Sequence, residues 1–125
     1  MRQVFTIQGR LASYNDYVSA AHSPWKRTQL MNEQKAIVKE AAKDIQPVKS
    51  PVTIRVTYYE GKATKRQRVR DLDNVLGGGN KFILDALKDM GIIIDDSADH
   101  VTQLFARGFK ATGDPRIEII LESEE

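Results

Sequence analysis

Two aspartates separated by one residue, Asp71 and Asp73, lie near the middle of this 125-residue sequence. On an extended segment, their side chains would project from the same face toward a common point. Carboxylates held that close repel each other unless a cation lies between them, and oxygen ligands suit hard ions such as Mg²⁺ or Mn²⁺. Either Asp95 or Asp96 could add a third carboxylate, because adjacent side chains of an extended chain face opposite ways. The spacing suits a metal site, but carboxylates near arginines are more commonly solvated surface ion pairs.

A run of basic residues precedes the two aspartates and comprises Lys62, Lys65, Arg66, Arg68 and Arg70. Such side chains bind the backbone phosphates of DNA. A basic segment that leads into an acidic pocket is what a metal-dependent phosphodiesterase needs, since the metal activates water and neutralises developing charge. If Lys81 points inward, it would be a second positive group for that charge. If it points outward, it is a surface lysine near a helix start.

Two other kinds of loop fail at specific positions of this segment. An EF-hand calcium loop that started at Asp71 would need a glycine where Leu76 stands and a glutamate where Phe82 stands. A Walker A phosphate loop needs a glycine directly before its lysine and a hydroxyl residue directly after it. Here Asn80 precedes Lys81 and Phe82 follows it. A calcium loop and a nucleotide-binding loop are therefore excluded.

The composition indicates one globular domain, residues 1–125, without a disulfide framework. The chain has no cysteine, and its hydrophobic and charged fractions of 41% and 29% are ordinary. No apolar run approaches the roughly 18 residues that span a bilayer, and the N-terminus lacks the apolar core of a secretory signal. We therefore expect a cytoplasmic protein with no membrane association. The net charge is +2, so the clustering of the basic residues, rather than their excess, points to nucleic acid.

The hydrophobic patterns predict an α+β fold with a mixed β-sheet and two helices, in the order β-α-β-α-β-β. The clearest strand is Val52–Tyr59, where apolar and polar residues alternate. The first helix would span Trp25–Ile45 after the N-cap Ser23, and the second would span Asn80–Met90. The remaining strands are predicted at Val4–Gln8, Val101–Gly108 and Arg116–Glu122, and residues 9–23 are interpreted as a long loop.

Three short motifs follow one another in the second half of the sequence: DLDN from residue 71, KFILDAL from residue 81 and GIIIDDS from residue 91. Together they resemble the signature of the RusA family of Holliday-junction resolvases of bacteria and their phages. The preceding KATKRQRVR resembles the basic lead-in of that family, and ASYNDY resembles its early Ser-x-Asn-x-Tyr pattern. The likeness touches most of the chain and is specific over residues 66–97.

The resemblance implies a RusA-like fold and a homodimer that binds four-way DNA junctions. Such a dimer makes paired, symmetric nicks with Mg²⁺ or Mn²⁺ during recombination and repair. Matched position by position, the essential aspartates of the family fall on Asp71, Asp73 and Asp96, and its important lysine falls on Lys81. Asp85 matches a recurring position and is interpreted as structural. The alternatives are a non-catalytic DNA-structure-binding protein and a nuclease that acts on flaps or ordinary duplex.

The position of Lys81 departs from the pattern of the family. Many members place this lysine about four residues after the second aspartate, whereas Lys81 lies eight residues after Asp73. Four extra residues amount to about one helical turn. We interpret Gly77–Gly79 as a flexible loop or break that bulges out, after which Asn80 caps the second helix and Lys81 begins it. The alternative is that the gap lets Lys81 reach the scissile phosphate from a different angle.

Overall fold

The computed structural model describes residues 1–62 and 64–123, which form three helices and four strands. In chain order the elements are β1 (Arg2–Gln8), α1 (Tyr14–Ala20), α2 (Pro24–Ala41), β2 (Val52–Glu60), α3 (Leu72–Asp89), β3 (Val101–Lys110) and β4 (Arg116–Ser123). The strands form one mixed sheet in the order β1-β4-β2-β3. Strand β4 pairs antiparallel with β1 and β2, whereas β3 pairs parallel with β2 and lies at an edge.

Alternation along the strands decides which face of the sheet is buried. In β2 the residues at alternate positions, Val52, Ile54, Val56 and Tyr58, are at most 2% exposed. They pack in one hydrophobic core with fully buried residues of the helices, such as Val38 of α2 and Phe82 of α3. The intervening residues of β2 point to the other face, where Arg55 is exposed. Among the described residues, the helices lack the length or apolar character needed to cross a membrane.

The predicted α+β class and mixed sheet are confirmed, but the prediction of two helices is wrong, because the described residues form three. The additional helix, α1, lies in the segment that the sequence patterns assign to a loop. Its seven residues include none that is buried, so no hydrophobic period marks it. The signal that could have revealed α1 is its capping box. The Ser13 hydroxyl accepts from the Asp16 N–H at 3.2 Å, and the Asp16 carboxylate accepts from the Ser13 N–H at 2.9 Å.

Helix α3 corrects the predicted connection between the two aspartates and Lys81. It begins at Leu72 rather than Asn80 and continues through Gly77–Gly79, so the predicted glycine loop is wrong. The helix is amphipathic, and its buried side includes Val75, Phe82, Ile83, Ala86 and Leu87. With 18 residues, α3 spans about 27 Å. Its length fixes how far apart the segments before and after it lie.

The glycines lie where α3 comes closest to its neighbours. A Cβ atom on Gly78 would lie 2.5 Å from the carbonyl oxygen of Ala12, just before α1. A Cβ atom on Gly79 would lie 2.5 Å from the ring of Tyr58 in β2. A helical glycine costs about 1 kcal/mol relative to alanine, and close packing against both neighbours offsets that cost. The glycines therefore position α3 against the sheet and α1.

Candidate active site

An ion pair between Glu60 and Arg70 joins the end of β2 to the start of α3. The Arg70 guanidinium donates to both carboxylate oxygens of Glu60, at 2.9 and 3.0 Å, and the Arg70 backbone N–H donates to the same group at 3.1 Å. Another guanidinium N–H donates to the Leu11 carbonyl oxygen at 2.7 Å. The Glu60 side chain is 2% exposed, so this bidentate pair is shielded from water. It fixes the backbone directly before Asp71.

Two arginines determine the charge state of Glu60. Burial acts to raise the pKa of Glu60, but the hydrogen bonds and charge of Arg70, together with the charge of Arg10, outweigh it and hold this pKa below its ordinary value of 4.5. Arg10 lies 3.5 Å from the Glu60 carboxylate. The pKa of Arg10 is lowered, chiefly by burial and then by the charge of Arg70. The carboxylate is therefore ionised at neutral pH and binds two cations.

This geometry separates Arg70 from the rest of the basic run. Arg70 is predicted to bind DNA, but its guanidinium donates to Glu60 and Leu11. Glu60 is a positioning residue that the sequence patterns do not single out. The buried alternation of β2 continues from Val56 through Tyr58 to Glu60, which places a carboxylate on the core side of the sheet. A buried carboxylate requires a partner, and that signal could have revealed the pair.

The other four residues of the run form what we call the basic segment: Lys62, Lys65, Arg66 and Arg68. All four are exposed. None of them makes an ion pair with a partner in residues 1–62 or 64–123. Ala63, which belongs to the KATKRQRVR lead-in, lies outside the described residues. The basic segment thus presents four cations directly before α3, and such cations can bind phosphates.

Asp71 and Asp73 lie at the N-terminal end of α3. Asp71 is the N-cap, Asp73 is in the first turn, and both are exposed. The extended geometry expected for the pair is therefore replaced by a helix start. The Asp71 side chain makes no capping hydrogen bond, and the positive end of the helix dipole favours both carboxylates. Asn74 in the same turn accepts a hydrogen bond from the Asn15 N–H of α1 at 2.9 Å, which ties α1 to this end.

Asp96 lies beyond the opposite end of α3, in the loop between α3 and β3. The last residue of that loop, His100, accepts a hydrogen bond at its carbonyl oxygen from the Val52 N–H at 2.9 Å. The loop therefore lies beside the start of β2. Asp71, in contrast, follows Arg70, which is bound to Glu60 at the end of β2. Asp71 thus lies near the end of β2 and the start of α3, whereas Asp96 lies near the start of β2 and beyond the end of α3.

The three predicted metal ligands do not meet within one chain. About 27 Å of helix separates Asp71 and Asp73 from the loop that holds Asp96. In residues 1–62 and 64–123, no group of three histidine, aspartate or glutamate side chains could hold a metal ion. Carboxylate oxygens are the right donors for Mg²⁺ or Mn²⁺, so the donor chemistry fits, but the arrangement within a single chain does not.

Lys81 lies on α3, eight residues after Asp73, which corresponds to about 12 Å along the helix axis. Its ammonium nitrogen lies 3.9 Å from the Asp85 carboxylate and 5.2 Å from the centre of the Tyr17 ring. The side chain is 40% exposed. Asp85 is thus an ion-pair partner of Lys81, as its structural interpretation suggests. Because α3 is continuous, Lys81 extends the charged surface along the helix.

A comparison with known protein families covers nearly the whole chain. The sequence has no significant match among curated proteins. The family described as endodeoxyribonuclease RusA matches residues 5–122, a range that runs from β1 to β4 and contains all of the predicted site residues. The match confirms the resemblance seen in the three motifs. The chain therefore belongs to the RusA family of Holliday-junction-resolving endodeoxyribonucleases.

Proposed function

We propose that this chain is an Mg²⁺- or Mn²⁺-dependent nuclease that resolves four-way DNA junctions by paired, symmetric nicks in recombination and repair. The observation that carries the proposal is the exposed pair Asp71 and Asp73 directly after the exposed basic segment. This arrangement puts acidic groups beside cations that bind DNA phosphates. We also propose a cytoplasmic location, because the resemblance is to enzymes of bacteria and their phages, whose DNA lies in the cytoplasm.

The basic segment and Arg70 contribute in different ways. The four cations of the basic segment would bind phosphates of the junction arms, and such contacts orient a protein on DNA without reading sequence. Arg70 acts through its ion pair with Glu60, which holds the backbone before Asp71. Lys81 would add positive charge along the DNA path, about 12 Å beyond Asp73 on the helix axis. Arg70 is therefore a positioning residue, whereas the basic segment binds substrate.

A homodimer would resolve the separation of the three aspartates. Asp71 and Asp73 of one copy would hold a divalent ion together with Asp96 of a second copy. When bound, that ion would activate water and neutralise charge on the phosphate. A two-fold axis generates two equivalent sites, which matches the need for one nick on each of two opposed strands. We therefore propose that each site is shared between two chains.

Cleavage of three synthetic DNAs tests the proposed function. A four-way junction, a flap and a linear duplex built from related strands are incubated with the protein and Mg²⁺ or Mn²⁺. We expect two symmetric nicks in the junction, and loss of these nicks when a chelator removes the metal. Equal cleavage rates on all three DNAs would contradict junction resolution and favour a general nuclease.

The variant Asp71→Asn separates catalysis from binding. We expect it to bind the junction at least as well as the wild type, because the change removes negative charge near DNA, but to lose cleavage. Asp44→Asn is the matched control, since Asp44 is also exposed but lies in the segment that follows α2. Full cleavage by Asp71→Asn would show that the carboxylate pair is not needed for cleavage and would contradict the proposed metal site. Binding without cleavage by the wild type would favour a DNA-structure-binding protein.

A further inference from the structure

Helix α1 is held in place by backbone contacts with α3, although none of its seven residues is buried. A Cβ atom on Gly78 would lie 2.5 Å from the Ser13 carbonyl carbon and 2.7 Å from the Tyr14 nitrogen. These distances leave room for glycine alone. The Asn15 N–H also donates to the Asn74 side chain at 2.9 Å. The surface of α3 therefore fixes the backbone of α1.

Tyr17 is the residue of α1 whose ring packs against α3. The ring is half-buried and contacts the hydrophobic core. Its centre lies 6.4 Å from the centre of the fully buried Phe82 ring, at an interplanar angle of 66°, which is a favourable edge-to-face arrangement. The Tyr14 ring lies 6.4 Å away on the same helix. These contacts hold the Tyr17 ring at one place on the surface of α3.

The ammonium group of Lys81 lies over the face of this ring. Its nitrogen is 5.2 Å from the ring centre, which is within the range of about 6 Å for cation–π attraction. The Asp85 carboxylate lies 3.9 Å from the same nitrogen, a distance too long for a hydrogen bond. The ammonium group carries three N–H donors. The ring and the carboxylate thus restrain the ammonium and leave its donors for another acceptor.

Helix α1 also connects Lys81 to the carboxylate pair. Asn74, whose side chain accepts the hydrogen bond from α1, directly follows Asp73 in the first turn of α3. Tyr17 comes two residues after Asn15 on the same helix and contacts Lys81. One short element therefore contacts both the turn that carries the carboxylates and the lysine that lies about two turns later. This contact sets the position of the ammonium relative to the carboxylates.

We propose that Tyr17 is a positioning residue, which together with Asp85 holds the Lys81 ammonium for contact with a phosphate of the cleaved strand. The inference deepens the proposed function and rests on it. A lysine side chain that is already restrained loses less conformational entropy when DNA binds. Because the ring is neutral, it restrains the ammonium without cancelling the charge that attracts a phosphate. The tyrosine of the Ser-x-Asn-x-Tyr pattern thereby gains a role in the reaction.

Two substitutions at Tyr17 separate the ring from its hydroxyl group. Tyr17→Phe keeps the ring face, whereas Tyr17→Leu keeps an apolar contact with Phe82 and removes the ring. We expect Tyr17→Leu to lower kcat/KM for junction cleavage about fivefold, which is the size of an exposed cation–π contact. Tyr17→Phe should cleave at the wild-type rate. So should the control Tyr14→Leu, which makes the same change at a tyrosine of α1 that is 50% exposed. Circular dichroism and urea denaturation check that each variant folds.

A double-mutant cycle tests whether Tyr17 acts through Lys81. Lys81→Ala removes the ammonium that the ring holds. If Tyr17 positions this group, Tyr17→Leu should lower kcat/KM about fivefold in the wild-type background and leave it unchanged in the Lys81→Ala background. A tyrosine that only packs α1 against α3 would lower kcat/KM by the same factor in both backgrounds.

Proton NMR of the protein without DNA provides a measurement that does not require cleavage. Protons that lie over the face of an aromatic ring resonate upfield of their usual position. The signal of the Lys81 ε-methylene protons, which lie next to the ammonium nitrogen, is identified by its loss in Lys81→Ala. We expect this signal upfield of the other lysine ε protons in the wild type and in Tyr17→Phe. In Tyr17→Leu it should return to the position of the others.

The outcomes separate the positioning role from the function. Full cleavage by Tyr17→Leu, equal losses in the two backgrounds of the cycle, or a Lys81 signal that does not move in Tyr17→Leu would each overturn the inference. None of these results contradicts the proposed function, because the wild type would still cleave junctions. If the wild type does not cleave junctions, the proposed function fails, and the NMR signal still decides whether Tyr17 holds the ammonium.

Discussion

The two ends of α3 hold acidic residues in contrasting ways. At the N-terminal end, Asp71 follows Arg70, which is bound to Glu60 and Leu11 by short hydrogen bonds. At the C-terminal end, Asp96 lies in an exposed loop, where its N–H donates to the neighbouring Asp95 side chain at 2.9 Å. The carboxylate pair is thus tied to the sheet, whereas Asp96 has a local contact. The contrast shows that one chain holds the carboxylate pair in a fixed position, whereas it presents Asp96 to solvent.

The largest expected effect comes from mixing two inactive variants. The mixture tests whether the two ends of α3 contribute to one site from different chains. Asp71→Asn and Asp96→Asn homodimers should each lose about 10³-fold or more in junction cleavage, because a metal ion contributes several kcal/mol to such a reaction. In a mixed dimer with a shared site, both changes fall in one site and the other site is intact. A mixture should therefore regain roughly a quarter of the wild-type nicking rate, if the chains pair at random.

The control for this experiment is a mixture of Asp71→Asn and Asp73→Asn chains. Both residues belong to the same end of α3, so every site of every dimer carries one change. This mixture should remain inactive. If the Asp71→Asn and Asp96→Asn mixture also remains inactive although mixed dimers form, each site would have to be built within one chain, which would contradict the shared site.

Removing the Glu60–Arg70 ion pair at the N-terminal end of α3 should have the next largest effect. Arg70→Ala leaves Glu60 buried without its bidentate partner, and breaking a buried pair costs about 3–5 kcal/mol. We expect this loss in the free energy of unfolding, measured by urea denaturation. Arg68→Ala is the matched control from the exposed basic segment. It should change stability by less than about 0.5 kcal/mol but weaken junction binding and reduce its salt dependence by about one phosphate contact.

The sequence predicts those elements whose residues follow a hydrophobic period. Alternation places Val52–Tyr59 in a strand, and this strand is β2, which extends to Glu60. The same rule does not find α1, because none of its residues is buried. The glycines mislead for a different reason, since their local preference favours a loop and tertiary contact with Ala12 and Tyr58 overrides it. Local patterns therefore predict the sheet better than the helices.

The candidate site shows a similar limit. Spacing and resemblance select Asp71, Asp73 and Asp96 as a set, but neither reveals that the 18-residue helix between them is continuous. Arg70 and Arg68 have the same charge and lie two residues apart, yet only the contact with Glu60 distinguishes their roles. The sequence does not show which of the two arginines contacts a buried carboxylate. Roles that depend on such contacts can be assigned only from the three-dimensional structure.

Alanine substitutions at two adjacent glycines test how closely α3 packs against α1. Their effect on stability should be smaller than that of Arg70→Ala. A Cβ atom on Gly78 would lie 2.5 Å from the Ala12 carbonyl oxygen, whereas one on Gly77 would lie 3.3 Å from the Tyr14 Cβ. Gly78→Ala should therefore destabilise by about 1–3 kcal/mol through overpacking. Gly77→Ala should stay within about 1 kcal/mol of the wild type, because the gain in helix propensity opposes the tight contact. Equal effects in thermal unfolding would contradict the close approach of α1.

The smallest expected effect is the pH dependence of the stability that the Glu60–Arg70 ion pair contributes. The pKa of Glu60 is held below 4.5 in the folded protein, where the hydrogen bonds and charge of Arg70 and the charge of Arg10 outweigh burial. Its contribution to stability is therefore complete above the unfolded pKa and is lost as the pH falls through the folded pKa. We expect the difference in unfolding free energy between the wild type and Glu60→Gln to shrink below pH 4.5. Other acids, such as Asp89 with its pKa lowered by Lys35 and Lys39, are present in both proteins and cancel. A difference that stays constant from pH 7 to pH 3 would show that the Glu60 charge does not anchor this end of α3.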